Sequence, residues 1–162
     1  MPERGNLPAP AAPMARQAAA ILLVEDSADD ALLVSKAAEQ TLGGVRLLRV
    51  PHGIAALQYL EGQGIYSDRT AYPFPEIVLL DLKMPEMDGF QVLRWIREHP
   101  KLKRLPVIVL TGSTLEDDSE RAYENGANSY LVKPCDFSQL VETMKHLGEF
   151  WFGGTLLPNS GQ

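Results

Sequence analysis

Ala20-Ile-Leu-Leu-Val-Glu-Asp-Ser27 passes directly from five apolar residues to two carboxylates and a hydroxyl. A short unbroken apolar run of this kind marks a strand covered on both faces. Similar runs at Val45–Val50, Ile77–Leu80, Pro106–Leu110 and Ser129–Val132 bring the candidate strands to five. Helical patterns separate them. Ser27 caps the first helix, with Asp30 three positions on completing a capping-box-like start, and Ala31, Val34, Ala38 and Leu42 form its apolar stripe. Ile54, Leu57 and Leu60 predict a second helix, and Phe90, Leu93 and Ile96 a third. A mostly polar stretch from Glu116 to Asn125, stopped by Gly126, makes the fourth. Phe137, Leu140, Met144, Leu147 and Trp151 make the fifth. Such alternation predicts an α/β chain: a doubly wound five-stranded parallel sheet with five helices on its two faces. Gly62–Pro75, with its Gly, Ser, Asp and Pro residues, reads as a long surface loop.

Outside this frame lie two segments of different composition. Residues 1–18 are rich in Pro and Ala and read as a flexible arm, because they bury too little surface to offset ordering entropy. Residues 153–162 follow a Gly153-Gly154 break and read as a C-terminal tail, leaving 19–152 as the folded domain. The 162 residues are 45% hydrophobic and 22% charged, values typical of a globular protein. No apolar run is long enough to span a membrane, and the first twenty residues lack the apolar core of a secretory signal, so the expected location is cytoplasmic. A formal net charge of -6 argues against nucleic-acid binding. Cys135 is the only cysteine, which excludes an internal disulfide and a thiolate zinc cluster.

Ligands of open α/β sheets bind outside the carboxyl ends of the strands. Here those ends carry Glu25 and Asp26, then Asp81, Thr111 and Lys133. Taken singly, each has an ordinary reading: an Asp after a strand caps a helix, and a Lys before a proline is solvated. Together they are harder to dismiss. Like charges about 4 Å apart repel by roughly 4 kcal/mol per pair at an effective dielectric near 20. A rim that gathers three carboxylates therefore calls for a cation, and oxygen-only donors suit a magnesium ion (Mg2+). A carboxylate in such a site can act as a nucleophile toward phosphorus, with Lys133 and the Thr111 hydroxyl contacting phosphoryl oxygens.

Four blocks carry a family resemblance: Leu22-Leu-Val-Glu-Asp-Ser27, Leu79-Leu-Asp-Leu-Lys-Met-Pro-Glu-Met-Asp-Gly89, Val109-Leu-Thr-Gly112 and Gly126-Ala-Asn-Ser-Tyr-Leu-Val-Lys-Pro134. In this order they resemble the receiver domain of two-component response regulators, over about Ala19 to Gly148. The resemblance implies a flavodoxin-like receiver fold with Asp81 as phosphoacceptor and Thr111 and Lys133 as its catalytic companions. It also implies Glu25, Asp26, Asp81 and the backbone carbonyl of Lys83 as the Mg2+ ligand set. Thr111 and Tyr130 would form a switch pair, although a tyrosine there is otherwise a core residue with a satisfied hydroxyl. The implied partner is a sensor histidine kinase that donates from phosphohistidine. The chain is then no enzyme in the ordinary sense, since it promotes only its own phosphorylation and dephosphorylation.

The loop at Gly62–Pro75, Lys133-Pro-Cys-Asp-Phe137 and Glu149-Phe-Trp-Phe152 resemble single-domain regulators paired with phytochrome-type kinases, so a bacteriophytochrome is the expected donor. Phe150, Trp151 and Phe152 cannot all point inward from one helix, which leaves aromatic surface for a partner. A homodimer using the last helix and the tail is the expected use. Three rivals fit the residues less well. Intact Glu25, Asp26, Asp81, Thr111 and Lys133 argue against a degenerate receiver that serves only as a binding module. A phosphatase-type hydrolase would need a carboxylate where Lys83 stands. A flavin carrier would need a phosphate-cradling loop where Glu25-Asp26-Ser27-Ala-Asp-Asp30 is acidic.

Overall fold

In the computed structural model, residues 19–153 are described. They form β1 (Ala20–Val24), α1 (Ala28–Thr41), β2 (Arg46–Val50), α2 (Gly53–Glu61), a 3-10 turn (Gly64–Ser67), β3 (Ile77–Leu80), α3 (Gly89–Glu98), β4 (Val107–Thr111), α4 (Glu116–Glu124), β5 (Ser129–Val132) and α5 (Phe137–Phe152). The strands lie parallel in the order β2-β1-β3-β4-β5, so strand order reverses beside β1 and opens the switch-point crevice between β1 and β3. The flavodoxin-like doubly wound sheet with five helices is therefore present. The arm read at 1–18 and all of the tail beyond Gly153 lie outside the described residues. No helix among the described residues is long and apolar enough to cross a membrane.

Period-two alternation sends successive side chains of each central strand to opposite faces. Ile21, Leu23, Ile77, Leu79, Ile108 and Leu110 meet Val34, Leu140, Met144 and Leu147 from α1 and α5. Leu22, Val24, Val78, Leu80, Val107 and Val109 meet Ala56, Leu60, Val92, Leu93 and Ile96 from α2 and α3. Both faces of β1, β3 and β4 are thus buried, as their unbroken apolar runs require. β2 differs because it is an edge: Arg46 and Arg49 are exposed and only Val50 is fully buried.

Two expectations need correction. Of the expected α2 stripe, Leu60 is buried and Leu57 packs half-buried on the core, but Ile54 is 42% exposed. Ala55, Ala56 and Tyr59 face the core beside Leu60. Small Ala55 and Ala56 let the helix approach the sheet, and Tyr59 supplies the bulk that the sequence pattern assigned to isoleucine.

Nor is Gly62–Pro75 a plain surface loop. Tyr66, Tyr72 and Phe74 pack on the core beneath it. Arg69 binds it to α2: its guanidinium donates to the carbonyls of Tyr59 (2.8 Å), Leu60 (3.1 Å) and Tyr72 (3.3 Å). The same group lies 5.8 Å from the Tyr59 ring centroid and 5.7 Å from that of Phe74. Cationic donors suit the carbonyl end of a helix. Charge-assisted hydrogen bonds and cation–π contact together predict that Arg69→Ala lowers stability by about 2–3 kcal/mol, measured by urea unfolding.

Candidate functional site

The carboxyl ends of β1, β3, β4 and β5 meet at one rim, and each ends in or leads into a polar or charged side chain because the strand stops where its apolar run stops. Glu25 follows β1 and is 1% exposed, and Asp81 follows β3 at 6%. Asp26 is exposed beside them. Carboxylate oxygens of Glu25, Asp26 and Asp81 all lie within 4.8 Å of one another. Arg49 on β2 fixes the turn that carries two of them, donating to the backbone carbonyls of Glu25 (2.9 Å) and Asp26 (3.1 Å).

Lys133 reaches into this cluster from β5. Its Nζ stands 2.8 Å from Glu25 Oε2, 3.1 Å from Asp30 Oδ2 and 3.4 Å from Asp81 Oδ2. Burial alone would lower the ammonium, but the hydrogen bond to Glu25 and the charge of Asp81 outweigh it and hold Lys133 above its ordinary value. Glu25 is pushed up to about 7, first by burial, with the Asp81 charge adding and the Lys133 hydrogen bond opposing.

One ammonium against the carboxylates of Glu25, Asp26, Asp30 and Asp81 leaves the rim with surplus negative charge. Hard oxygen donors at this spacing, two of them buried, fit a divalent cation such as magnesium. A pH effect follows for the metal-free protein. Glu25 has a folded value above its ordinary 4.5, so its contribution is intact below 4.5 and lost as pH rises through about 7. The melting temperature in chelator should fall across that window, and Glu25→Gln should flatten the fall.

Thr111, the last residue of β4, is fully buried, and its Oγ1 accepts from the Ser113 amide at 3.4 Å. Tyr130 on β5 is half-buried and does not bond Thr111. Its hydroxyl donates to the Ser113 carbonyl at 3.0 Å, so the two are joined through the loop after β4. The Lys83 amide lies 3.5 Å from Asp81 Oδ1, while its ammonium pairs with Asp118 of α4 at 3.2 Å. Asp118 also accepts from Ser113 Oγ at 2.6 Å, and that bond first, with Lys83 adding, holds its carboxyl below the usual range.

Two side chains read otherwise in the sequence belong to this neighbourhood. Ser27 does cap α1 through the Asp30 amide. The Asp30 carboxylate, however, turns to Lys133 instead of closing a capping box. Its place in the acidic run Glu25-Asp26-Ser27-Ala28-Asp29-Asp30, at the carboxyl end of β1, is the signal the sequence offers. Asp118 carries no signal in the sequence because α4 is almost wholly polar, yet Asp118 and Ala122, four apart on one helix face, are its buried residues.

At the far end of α5, Trp151 and Phe152 pack against the core, whereas Phe150 is 63% exposed and meets Trp151 edge-on at 5.2 Å. Of the three aromatics expected to face a partner, two are thus largely committed to the domain. A groove of about 390 Å³ runs beside them, lined by Ile108, Leu131, His146, Phe150 and Trp151.

The family model described as the response regulator receiver domain matches residues 21–145. The chain is 42% identical over 141 residues to "Probable methanogenesis regulatory protein FilR2" of Methanothrix harundinacea, covering 85% of this chain and 86% of that one. It is 39% identical over 138 residues to response regulator Rcp1 of Synechocystis, covering 85% and 92%. The solved Mn(2+)-bound form of Rcp1 aligns with TM-score 0.77 and 38% identity, over 87% of this chain and 99% of that one. The phosphorylated cyanobacterial phytochrome response regulator RcpA aligns with TM-score 0.80 and 36% identity, over the same shares.

Proposed function

The chain belongs to the response regulator receiver family, and from that premise we propose that Asp81 accepts a phosphoryl group from the phosphohistidine of a sensor kinase. The observation that carries this reading is the convergence of Asp81, Glu25 and Asp26 within 4.8 Å at the strand ends, with the Lys133 ammonium among them. An Asp81 carboxylate oxygen attacks phosphorus, and the bond from phosphorus to the donor nitrogen breaks. The electron pair stays on the imidazole, and the product is an acyl phosphate. Lys133, already held at the acceptor, neutralises incoming negative charge, and the buried Thr111 hydroxyl donates to a phosphoryl oxygen. A magnesium ion held by Glu25, Asp26, Asp81 and the Lys83 carbonyl would supply further positive charge to the phosphoryl oxygens.

Rearrangement at Thr111 would reach Tyr130 through Ser113, whose carbonyl holds the tyrosine hydroxyl. This contact supports a switch in which loop and ring move together. The position two residues after Asp81 offers an ammonium paired to Asp118, not the second carboxylate that a phosphatase-type hydrolase needs. A phytochrome-type kinase is the proposed donor, supported by the likeness to RcpA, described as a phytochrome response regulator. The proposed location is the cytoplasm.

Intact-mass measurement after incubation with acetyl phosphate tests the acceptor. Expected is a magnesium-dependent phosphoryl adduct on the wild type and none on Asp81→Asn; an unmodified wild type would sink the reading. The exposed Phe150 and its adjoining groove support a homodimer through the end of α5. Sedimentation equilibrium should then show a dimer that Phe150→Glu weakens, and a monomer in the wild type would remove this assembly.

A further inference from the structure

We propose that Asp118 is a positioning residue that restrains phosphoryl uptake, a carboxylate that holds the Lys83 ammonium to Ser113 and away from the acceptor Asp81. The proposal rests on the reading of Asp81 as phosphoacceptor. Lys83 stands two residues after Asp81 and Ser113 two residues after Thr111, so each leads the loop that leaves a reacting strand. Both converge on one oxygen of α4: Asp118 Oδ2 lies 2.6 Å from Ser113 Oγ and 3.2 Å from Lys83 Nζ. Asp118 is 9% exposed and Ala122, one turn on, is fully buried, so this face of α4 is fixed against the domain. Arg121 adds a tie to α3, its guanidinium 4.0 Å from the Phe90 ring centroid. The anchor is packed into the domain, whereas the Lys83 side chain that it holds is 63% exposed.

Lys83, whose amide lies 3.5 Å from Asp81 Oδ1, carries an ammonium with a competing destination in the rim of carboxylates. Asp118 keeps it from that rim only while its own charge is present. Without that charge, Lys83 turns toward Glu25, Asp26 and Asp81, where it attracts an anionic phosphodonor and pairs with the transferred group. Exposed charge pairs of this kind change rates modestly, on the order of fivefold. In the assay, an Asp81 oxygen forms its bond to phosphorus as the bond to acetate breaks, and acetate leaves with the electron pair.

The test compares initial rates of adduct formation from acetyl phosphate at fixed magnesium. Asp118→Asn keeps the side-chain shape and should raise the rate about fivefold; Asp118→Ala provides a second variant with the same expected direction. Asp118→Glu restores the carboxylate and should return the rate toward wild type. In a Lys83→Met background, Asp118→Asn should give no increase, which a general loosening of α4 would not reproduce. Equal rates in wild type and Asp118→Asn, or a gain that survives Lys83→Met, would overturn the proposal while leaving Asp81 as acceptor. A wild type that forms no adduct would overturn the acceptor reading and this proposal with it.

Discussion

Lys133→Met should slow phosphoryl uptake at Asp81 at least about a hundredfold, the usual consequence of removing a fixed charge aimed at the reacting group. The same substitution should lower the stability of the metal-free protein by about 3 kcal/mol, because it leaves buried carboxylates without their cation. The geometry explains why both effects come from one residue. The Lys133 side chain is 16% exposed and its ammonium contacts Glu25, whose side chain is 2% exposed, as well as Asp81 at 8%. With the ammonium gone, Glu25 can avoid bare charge only by keeping its proton, which burial already favours.

A second substitution separates the two effects. Glu25→Gln in the Lys133→Met background removes the orphaned carboxyl and should recover most of the lost stability, seen as a coupling energy in a double-mutant cycle. It should not recover uptake, since neither the ammonium at Asp81 nor the carboxylate at position 25, proposed as a metal ligand, returns. Recovery of uptake along with stability would mean that Lys133 serves the fold alone and has no part in the chemistry.

What made the rim legible in the sequence is that its residues sit at the ends of strands. An unbroken apolar run has to be a buried strand, and the first polar residue after it has to emerge at the sheet edge. Glu25, Asp81 and Thr111 follow from that rule; Lys133 does not, because it leaves β5, an edge strand that is only half-buried and whose Val132 is 42% exposed. The rule weakens where burial is one-sided. β2 alternates less cleanly because Arg46 and Arg49 lie on an exposed edge.

It fails where order comes from a single side chain and not from a period. Nothing in the spacing of Gly62–Pro75 announces that Arg69 will bridge Tyr59 and Phe74, because those contacts join a helix end to a loop. The Lys83–Asp118–Ser113 connection was hidden for a related reason. Polar residues on a polar helix carry no hydrophobic signal, so only the folded backbone shows that Asp118 faces inward. Asp30 falls between these cases, since its place in the acidic run after β1 is visible in the sequence but its reach to Lys133 across the sheet is not.

Gly89→Ala should destabilise the protein by about 3 kcal/mol and slow phosphoryl uptake by roughly tenfold to a hundredfold, although the residue touches no phosphoryl group. Gly89 opens α3 after the Asp88 cap, and its amide donates to the Leu82 carbonyl at 3.0 Å. A Cβ there would press on the carbonyl oxygen of Asp81 itself and lie 2.8 Å from Leu82 Cα and 3.0 Å from the Asp81 carbonyl carbon. All three are backbone atoms of the acceptor segment. Relief therefore requires moving either α3 or the acceptor, and the acceptor must stay within tenths of an ångström of its companions to react. Gly148→Ala is the contrasting case. Its Cβ would meet the Cδ2 of Leu42, but the next atom is 3.7 Å away and the leucine end can swing aside. The gain in helix propensity, about 1 kcal/mol, should then offset most of the crowding, with no effect on uptake. Urea unfolding and adduct rates on the two variants decide the matter. Similar losses in both would mean that packing at Gly89 is ordinary crowding, and that α3 does not set the position of Asp81.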